Sequence, residues 1–270
     1  MPDCATMTTP ATHIHPTAII EEGAVVGPGV AVGPYAVIGA LVTLGAGCRV
    51  GHHATVTGRT VLGGNNEIFP YACIGMRTQD LKYRGGEPGL RIGEGNVFRE
   101  FCTIHAATNE DEETAIGDHN HFLAYTHVAH DCQLGNHIIM SNNATLAGHV
   151  EVADRVVLGG FAGVHQFCRI GRQAMIGGMT KITQDVPPFF IADGNPAAIR
   201  AVNVVGLERA GFSREEIDLV RKLHRIIYRD GLNRKQAIDR LAEHEQAETK
   251  LFAAMRQFLQ EAGRGIVPGS

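Results

Sequence analysis

A six-residue repeat constrains this chain more than any other feature. Stepping by six from Ile14 to Ile182, 26 of the 29 positions are apolar, and the exceptions are Asp80, Gly86 and Glu110. Gly often follows the apolar residue, and a small residue often stands four positions after it. One such repeat cannot bury its own apolar face, so a fixed short period indicates coils that stack on one another.

The repeat predicts a left-handed parallel β-helix in which three hexads form one triangular coil of about 18 residues. Neighbouring coils in such a fold lie about 4.8 Å apart. The small position should point into the core, so we expect Cys48, Cys102, Cys132 and Cys168 to be buried. We also expect the Gly after each apolar residue to take a positive φ at a corner.

Two polar excursions interrupt the repeat, at 76–91 and 106–115. Insertions in a solenoid lie outside its core and often line binding sites. The periodicity changes after Pro187-Pro188, so we predict a β-helix domain over residues 1–188 and a C-terminal helical domain over 189–270.

Within the C-terminal domain, Ser213 and Glu216 form a capping box that predicts a helix ending at Asp230-Gly231. Further helices are predicted at 234–246 and 248–261.

Composition excludes several kinds of protein. The chain has three Ser and no G-x-S-x-G motif, which argues against a serine nucleophile. Its six Cys form no C-x-x-C pair, so a disulfide framework and a cysteine-rich zinc site are not expected. The net charge of −4 does not indicate nucleic-acid binding. With no long apolar run and no leader pattern, we expect a cytoplasmic protein without a transmembrane segment.

Polar residues that could carry chemistry concentrate in one part of the repeat. Since three hexads close a coil, His130 and His149 fall one coil apart with an offset of one position, and His165 comes about one coil later. The same arithmetic is expected to gather the whole group on one region of the surface: His119, His121, His127, His130, Asp131, His149, His165 and Gln166.

Three interpretations of this cluster remain open from the residues alone. The histidines could be solvated surface residues without a role. His127, His130 and His149 could bind zinc, as three histidines do in prism-shaped carbonic anhydrases. Alternatively, His130 could act as a general base that the neighbouring Asp131 orients, with a substrate hydroxyl attacking directly.

Several longer motifs are similar to a known family. They are His127-Val128-Ala129-His130-Asp131-Cys132, Asn142 through Val150, Val164-His165-Gln166-Phe167, Gln79 through Tyr83, Gln184 through Pro188 and Gly211 through Glu215. These motifs resemble the acyl-[acyl-carrier-protein]–UDP-N-acetylglucosamine O-acyltransferases of lipid A biosynthesis. The likeness extends from about His13 into the C-terminal helices.

The resemblance implies a homotrimer of left-handed β-helices with active sites in clefts between subunits. An acyl carrier protein would donate a 3-hydroxyacyl chain to the 3-hydroxyl of UDP-N-acetylglucosamine, with no cofactor and no metal. His130 and Asp131 would form the catalytic pair, and the Gly148 N–H would hold the oxyanion. Substrate would contact Asp80, Lys82, His127, His149, His165, Gln166, Asn203 and Arg209.

The resemblance also suggests what sets acyl length and where this chain differs. Gly178, the second residue of a Gly-Gly pair, would leave the acyl groove open to a long chain. Val205 and Ala210 stand where a Glu and a second Arg are expected among the nucleotide contacts, and Pro196 stands where a His is expected.

Docking of an acidic carrier protein needs a local basic patch on this acidic chain. The candidates for this patch are Arg169, Arg172, Arg221, Lys222 and Arg225, and the alternative is that they belong to an ordinary solvated helix face. For the activity itself, the alternatives to O-acyl transfer are an N-acyltransferase acting on a UDP-amino sugar and, from another class, a zinc-dependent hydratase.

Overall fold

The computed structural model describes residues 11–270, and most of them form a three-sided prism of parallel strands. Cys4 and the first ten residues of the predicted first domain lie outside the described residues. Each side of the prism is one sheet, and successive strands of the chain pass from sheet A to sheet B to sheet C.

The strands are short, and most contain two residues. Sheet A consists of β1 (His13–Ile14), β4 (Ala31–Val32), β7 (Arg49–Val50), β10 (Glu67–Ile68), β13 (Val97–Phe98), β16 (His121–Phe122), β19 (Ile139–Met140), β22 (Val157–Leu158), β25 (Met175–Ile176), β27 (Phe190–Asp193) and β28 (Ala198–Val202). Sheet B consists of β2 (Ile19–Ile20), β5 (Val37–Ile38), β8 (Thr55–Val56), β11 (Cys73–Met76), β14 (Thr103–His105), β17 (His127–Val128), β20 (Thr145–Leu146), β23 (Gly163–Val164) and β26 (Lys181–Ile182). Sheet C consists of β3 (Val25–Val26), β6 (Thr43–Leu44), β9 (Arg59–Leu62), β12 (Gly89–Ile92), β15 (Glu113–Ile116), β18 (Gln133–Leu134), β21 (Glu151–Val152) and β24 (Arg169–Ile170).

The strand register explains why the hexad phase survives both excursions. His127 pairs with Thr145, three hexads further along the chain, as in an uninterrupted coil. Cys73 pairs with Thr103, five hexads later, and Thr103 pairs with His127, four hexads later. Each excursion therefore adds a whole number of hexads, and the apolar positions stay in step on both sides of it.

Both excursions are shorter than the sequence indicated. Met76 still belongs to β11, and β12 begins at Gly89, which pairs with Arg59 on one side and Glu113 on the other. The loops are therefore 77–88 and 106–112. Pairing with both neighbouring coils makes the flanking residues part of sheet C, although their polarity favoured a loop.

The core lies inside the prism, where the second residue of most strands is buried. The four cysteines expected at the inward small position are all fully buried, which confirms that prediction. Phe98 and Phe122 on adjacent coils stack with ring centroids 4.9 Å apart. Apolar contact between coils supplies the stabilisation that no single coil has alone.

The expectation about glycine was wrong. Among the glycines that follow an apolar hexad residue, Gly75 alone has a positive φ, of 77°. The other glycines at this position are needed because neighbouring coils approach closely. A Cβ on Gly33, for example, would lie 2.9 Å from the backbone nitrogen of His52. The left-handed conformation falls instead on corner residues with side chains, such as Asp131 at φ 61° and His149 at φ 59°.

Four helices follow the prism: α1 (Val204–Arg209), α2 (Arg214–Tyr228), α3 (Arg234–Ala242) and α4 (Lys250–Glu261). The capping box of Ser213 and Glu216 begins α2 as predicted. The short α1 was not predicted, and α3 ends at Ala242 rather than at 246, because residues 243–249 form turns. None of the helices in residues 11–270 is long and apolar enough to cross a membrane.

The helices pack on the last coils of the prism. Strand β27 extends sheet A, and β28 pairs with it in antiparallel fashion. On the flank formed by sheet C, Arg169 donates to Glu261 of α4 at 2.8 Å and lies over the ring of Phe258 at 5.2 Å. These contacts fix the helical region against the coils that carry the histidine cluster.

Candidate active site

The corner between sheets B and C carries the chemistry, and we call it the site corner. Both excursions leave the prism here, after β11 and after β14. The turns after β17, β20 and β23 place His130, His149 and His165 at the same corner on successive coils. The topology therefore brings two polar loops and three histidines to one edge of the prism.

His130 and Asp131 form a tight pair at this corner. The Nδ1 of His130 lies 2.7 Å from Oδ2 of Asp131, and their side chains are 13% and 6% exposed. Because a carboxylate only accepts hydrogen bonds, we assign the ring proton to Nδ1. That assignment leaves the lone pair on Nε2 of His130 free to accept a proton from a substrate.

Two threonines hold Asp131 in place. The backbone N–H of Thr108 donates to Oδ1 at 3.0 Å, and the Asp131 N–H donates to Oγ1 of Thr114 at 2.8 Å. The hydroxyl of Thr108 also lies 3.1 Å from His130 Nδ1. Neither threonine was predicted from the sequence, because both lie in the segment 106–115, where the hexad repeat is interrupted.

Gly148 packs directly against the imidazole of His130. A Cβ on this residue would overlap Cε1 of the ring and lie 2.6 Å from Nε2. No acceptor for the Gly148 N–H is found among residues 11–270, and its carbonyl accepts from Phe167. Only a residue without a side chain fits this close to the ring, and its N–H has no acceptor in the part of the chain that the structure describes.

His149 and Asp80 complete the front of the site. The ring of His149 stacks on Phe167 at 4.6 Å, and its Nε2 lies 3.5 Å from Oδ2 of Asp131. Asp80 comes from the first excursion, and the backbone N–H of Lys82 donates to its Oδ1 at 2.9 Å. That N–H, together with His130 and His149, lowers the pKa of Asp80 and keeps its carboxylate ionised.

Two histidines on sheet B lie behind this group. His127 pairs with Oγ1 of Thr103 at 2.7 Å, and burial together with His130 lowers its pKa. His105 is 4% exposed and contacts the His127 ring edge at 4.9 Å, and burial lowers its pKa to about 4. His105 was not predicted from the sequence, although it occupies the position after Ile104, where Gly is usual in the hexads.

Two members of the predicted cluster lie elsewhere. His121 is on β16 in sheet A, and His119 stacks on His137 at 5.4 Å at the corner between sheets C and A. They precede His130 by 11 and 9 residues, which is about half a coil, so the expected gathering was wrong for these two. His165 and Gln166 do lie at the site corner, where both are exposed.

The predicted nucleotide and acyl residues lie at other corners of the same chain. Asn203 caps α1 by accepting from Gly206, and it donates to the Gln173 carbonyl near the corner between sheets C and A. Arg209 is exposed in the last turn of α1. Gly178 is at the corner between sheets A and B, beside the exposed Met179. One chain therefore does not bring these residues to His130.

The open alternative of a zinc site on His127, His130 and His149 is not assembled in the described residues. Among the described residues, one group of three or more metal donors lies within 4.8 Å, and it contains Asp80, His130 and His149. His127 is absent from this group, and its Nδ1 is engaged with Thr103.

Most of the proposed docking patch is already paired with carboxylates. Arg169 contacts Glu151 at 3.0 Å, Lys222 contacts Glu245 at 3.8 Å, and Arg225 contacts Asp230 at 3.2 Å. Arg221 likewise pairs with Asp218, whereas Arg172 lies over the Phe189 ring at 6.0 Å.

Known proteins match nearly the whole chain. A family model described as "Udp N-acetylglucosamine O-acyltransferase; Domain 2" matches residues 185–267. An acyl-[acyl-carrier-protein]–UDP-N-acetylglucosamine O-acyltransferase from Verminephrobacter eiseniae is 49% identical over 261 residues, which are 95% of this chain and 99% of the relative. A relative of the same name from Gloeothece citriformis is 47% identical over 96% of this chain and 95% of its own length.

Solved structures agree in fold. LpxA from Acinetobacter baumannii superimposes with a TM-score of 0.91 at 43% identity, covering 94% of this chain and 99% of that one. The UDP-N-acetylglucosamine O-acyltransferase of Moraxella catarrhalis gives a TM-score of 0.90 at 38% identity, with 94% and 99% covered. The prism is a left-handed parallel β-helix, as the hexads predicted. This chain is an acyltransferase that belongs to the acyl-[acyl-carrier-protein]–UDP-N-acetylglucosamine O-acyltransferase family.

Proposed function

We propose that this protein transfers a 3-hydroxyacyl chain from acyl carrier protein to the 3-hydroxyl of UDP-N-acetylglucosamine, the first step of lipid A biosynthesis. Family membership supports the reaction, and the His130–Asp131 pair is the observation that carries the mechanism. The sugar oxygen attacks the thioester carbonyl while Nε2 of His130 takes its proton. Collapse of the tetrahedral intermediate breaks the carbon–sulfur bond, and the carrier thiolate leaves and takes up the proton.

Direct attack is favoured over an acyl-enzyme. Cys132 follows the catalytic pair, but it is fully buried, and burial raises the pKa of its thiol to about 12. Its Sγ lies 3.2 Å from the Ala147 carbonyl inside the prism. A thiol in that state supplies almost no thiolate, which is the nucleophilic form.

The contacts around His130 match the needs of a general base. Asp131 fixes the imidazole tautomer and stabilises the charge that forms when Nε2 takes a proton. The Gly148 N–H is the donor for the developing oxyanion. Substrate would contact Asp80, Lys82, His127 and His149 around this pair, with His165 and Gln166 on the next coil.

The remaining substrate contacts require more than one copy of the chain. Asn203 and Arg209 are assigned to the nucleotide and Gly178 to the acyl chain, yet all three lie at corners of the prism other than the site corner. A homotrimer would bring corners of neighbouring prisms together. Exposed stacked rings along the corner between sheets A and B, including Tyr35, Tyr71 and Phe101, would be covered by such contact.

The carrier protein would dock through basic residues near the last coils, and Arg172 is the member of the patch that lies over an aromatic ring rather than beside a carboxylate. Acyl carrier proteins and nucleotide sugars are cytoplasmic substrates, so we also place this enzyme in the cytoplasm.

Mass spectrometry of the product tests the proposal. Purified protein is incubated with UDP-N-acetylglucosamine and 3-hydroxyacyl carrier protein, and the expected product is the 3-O-acyl sugar nucleotide. A parallel reaction with the 3-amino analogue separates the ester from an amide. Acylation of the amino sugar alone would overturn the assignment in favour of an N-acyltransferase.

A further inference from the structure

The donors at the front of the site have the composition of a metal site. Asp80, His130 and His149 each offer one ligand atom, and these atoms all lie within 4.8 Å of one another. Asp80 enters from the first excursion, whereas the two histidines come from successive coils of the prism. The three side chains thus converge on one space from separate segments, as ligands around an ion do.

A second observation points to a metal independently of that convergence. Nδ1 of His130 is bonded to Asp131 at 2.7 Å, and Asp131 is itself fixed by Thr108 and Thr114. A histidine that ligates a metal usually donates its other ring N–H to a carboxylate, which fixes the tautomer and raises the basicity of the ligating nitrogen. His130 therefore has the support that metal-ligating histidines have.

The donor set selects the kind of ion. Two imidazoles and one carboxylate suit Zn²⁺, and they leave a fourth position for water, whereas Mg²⁺ and Ca²⁺ prefer oxygen donors alone. Zinc–ligand bonds are about 2.0–2.2 Å long. Ligand atoms around one ion therefore lie closer to one another than 4.8 Å, which is the upper bound on the separations of these three donors. Because Asp80 lies on the excursion and not in a strand, it can approach the two histidines while the prism stays fixed.

We propose that Asp80, His130 and His149 form a reversible Zn²⁺ site whose occupation inhibits acyl transfer. The ion takes the Nε2 lone pair of His130, so His130 cannot accept the proton of the sugar hydroxyl. The bound ion also occupies the side chains of Asp80 and His149, so they cannot contact the substrate. The binding half of this proposal stands on geometry alone, and the inhibition half rests on the proposed function.

Titration of the full-length protein tests the site directly. Protein stripped with chelator is titrated with ZnCl₂ by calorimetry and, separately, with Co²⁺ while the visible bands of a four-coordinate ion are recorded. We expect one ion per chain, and we expect Asp80→Asn and His149→Ala each to weaken binding at least tenfold. His127→Ala is the matched control, because His127 lies outside the donor group, and it should bind Zn²⁺ as the unmodified protein does.

Activity then tests the inhibitory half. Zn²⁺ should stop thioester consumption over the concentration range in which it binds, and excess chelator should restore the rate. Unchanged affinity in both Asp80→Asn and His149→Ala would overturn the site, as would loss of binding in His127→Ala. Binding at the predicted residues without inhibition would overturn the inhibitory role. A failure of metal binding leaves the product analysis of the unloaded enzyme intact, so the two proposals fail separately.

Discussion

Replacing Gly148 with Ala should slow acyl transfer about 100-fold without unfolding the prism. The φ of Gly148 is not in the left-handed region, so Ala fits the backbone. Its Cβ would lie 2.6 Å from Nε2 of His130, whereas ordinary contacts begin near 3.4 Å, so the ring must retreat by close to 1 Å. A misplacement of about 1 Å at the reacting groups can cost about 10²-fold in rate.

The alanine keeps the backbone N–H, so the loss would come from displacement of the imidazole and should fall on kcat. The assay is steady-state release of carrier thiol with both substrates, alongside thermal unfolding. Gly163→Ala on β23 is the control, since a Cβ there has nothing within 4 Å, and its kcat should be unchanged. A Gly148→Ala enzyme within threefold of the normal kcat would refute close packing as the reason for glycine at this position.

Three further predictions concern stability, acyl length and docking. Burial lowers the pKa of His105 from 6.5 to about 4, so His105 is protonated in the unfolded chain at a higher pH than in the folded one, and the free energy of unfolding should fall by up to about 3 kcal/mol as the pH drops through that range. In denaturant titrations the free energy of unfolding of His105→Phe should fall less between pH 7 and 5 than that of the unmodified protein, and equal losses would contradict this. Gly178→Met should shift preference from 3-hydroxytetradecanoyl toward 3-hydroxydecanoyl donors without abolishing turnover, because the four methylenes by which these donors differ are worth about 10²-fold when buried. Identical rankings of a series of donor lengths by the two enzymes would exclude Gly178 as the residue that sets acyl length. Arg172→Glu should raise KM for the carrier protein, and the increase should be larger at low salt than at high salt. The increase should also be larger than for Arg221→Glu, because Arg221 is already paired with Asp218, and an unchanged KM would remove Arg172 from the docking surface.

The hexads predicted the prism because their periodicity is local and redundant. Each apolar position has a fixed role whichever coil contains it, so three failures, at Asp80, Gly86 and Glu110, did not obscure the pattern. The role of the glycines could not be predicted in the same way. Whether a Cβ fits depends on the next coil, and the nearest atoms to Gly33 include those of Gly51 and His52.

Site residues whose spacing follows the 18-residue coil could be predicted from the sequence, and those in the excursions could not. His130, His149 and His165 are spaced within two residues of a full coil, so their common corner followed from their numbers. Thr108 lies in an excursion, and its contacts with His130 and Asp131 depend on how that loop folds back. The roles proposed for Asn203 and Gly178 depend on neighbouring chains, which the hexads of one chain do not position.

The division into domains at residue 188 stays a prediction. Strands β27 and β28 continue sheet A beyond that point, and the first helix begins at Val204. The Pro187-Pro188 pair marked the change of periodicity, but strand pairing continues past it because Ile191 and Ala192 still align with Met175 and Ile176.

The turnover of His130→Ala is the most direct test of whether His130 acts as the general base. The measurement is kcat with saturating 3-hydroxyacyl carrier protein and UDP-N-acetylglucosamine, on protein whose thermal unfolding matches that of the unmodified enzyme. Removal of a general base typically costs about 10²–10⁴-fold in rate, and we expect a loss of kcat in that range. A folded His130→Ala enzyme that keeps more than about a tenth of the normal kcat would contradict the assignment of His130 as the base.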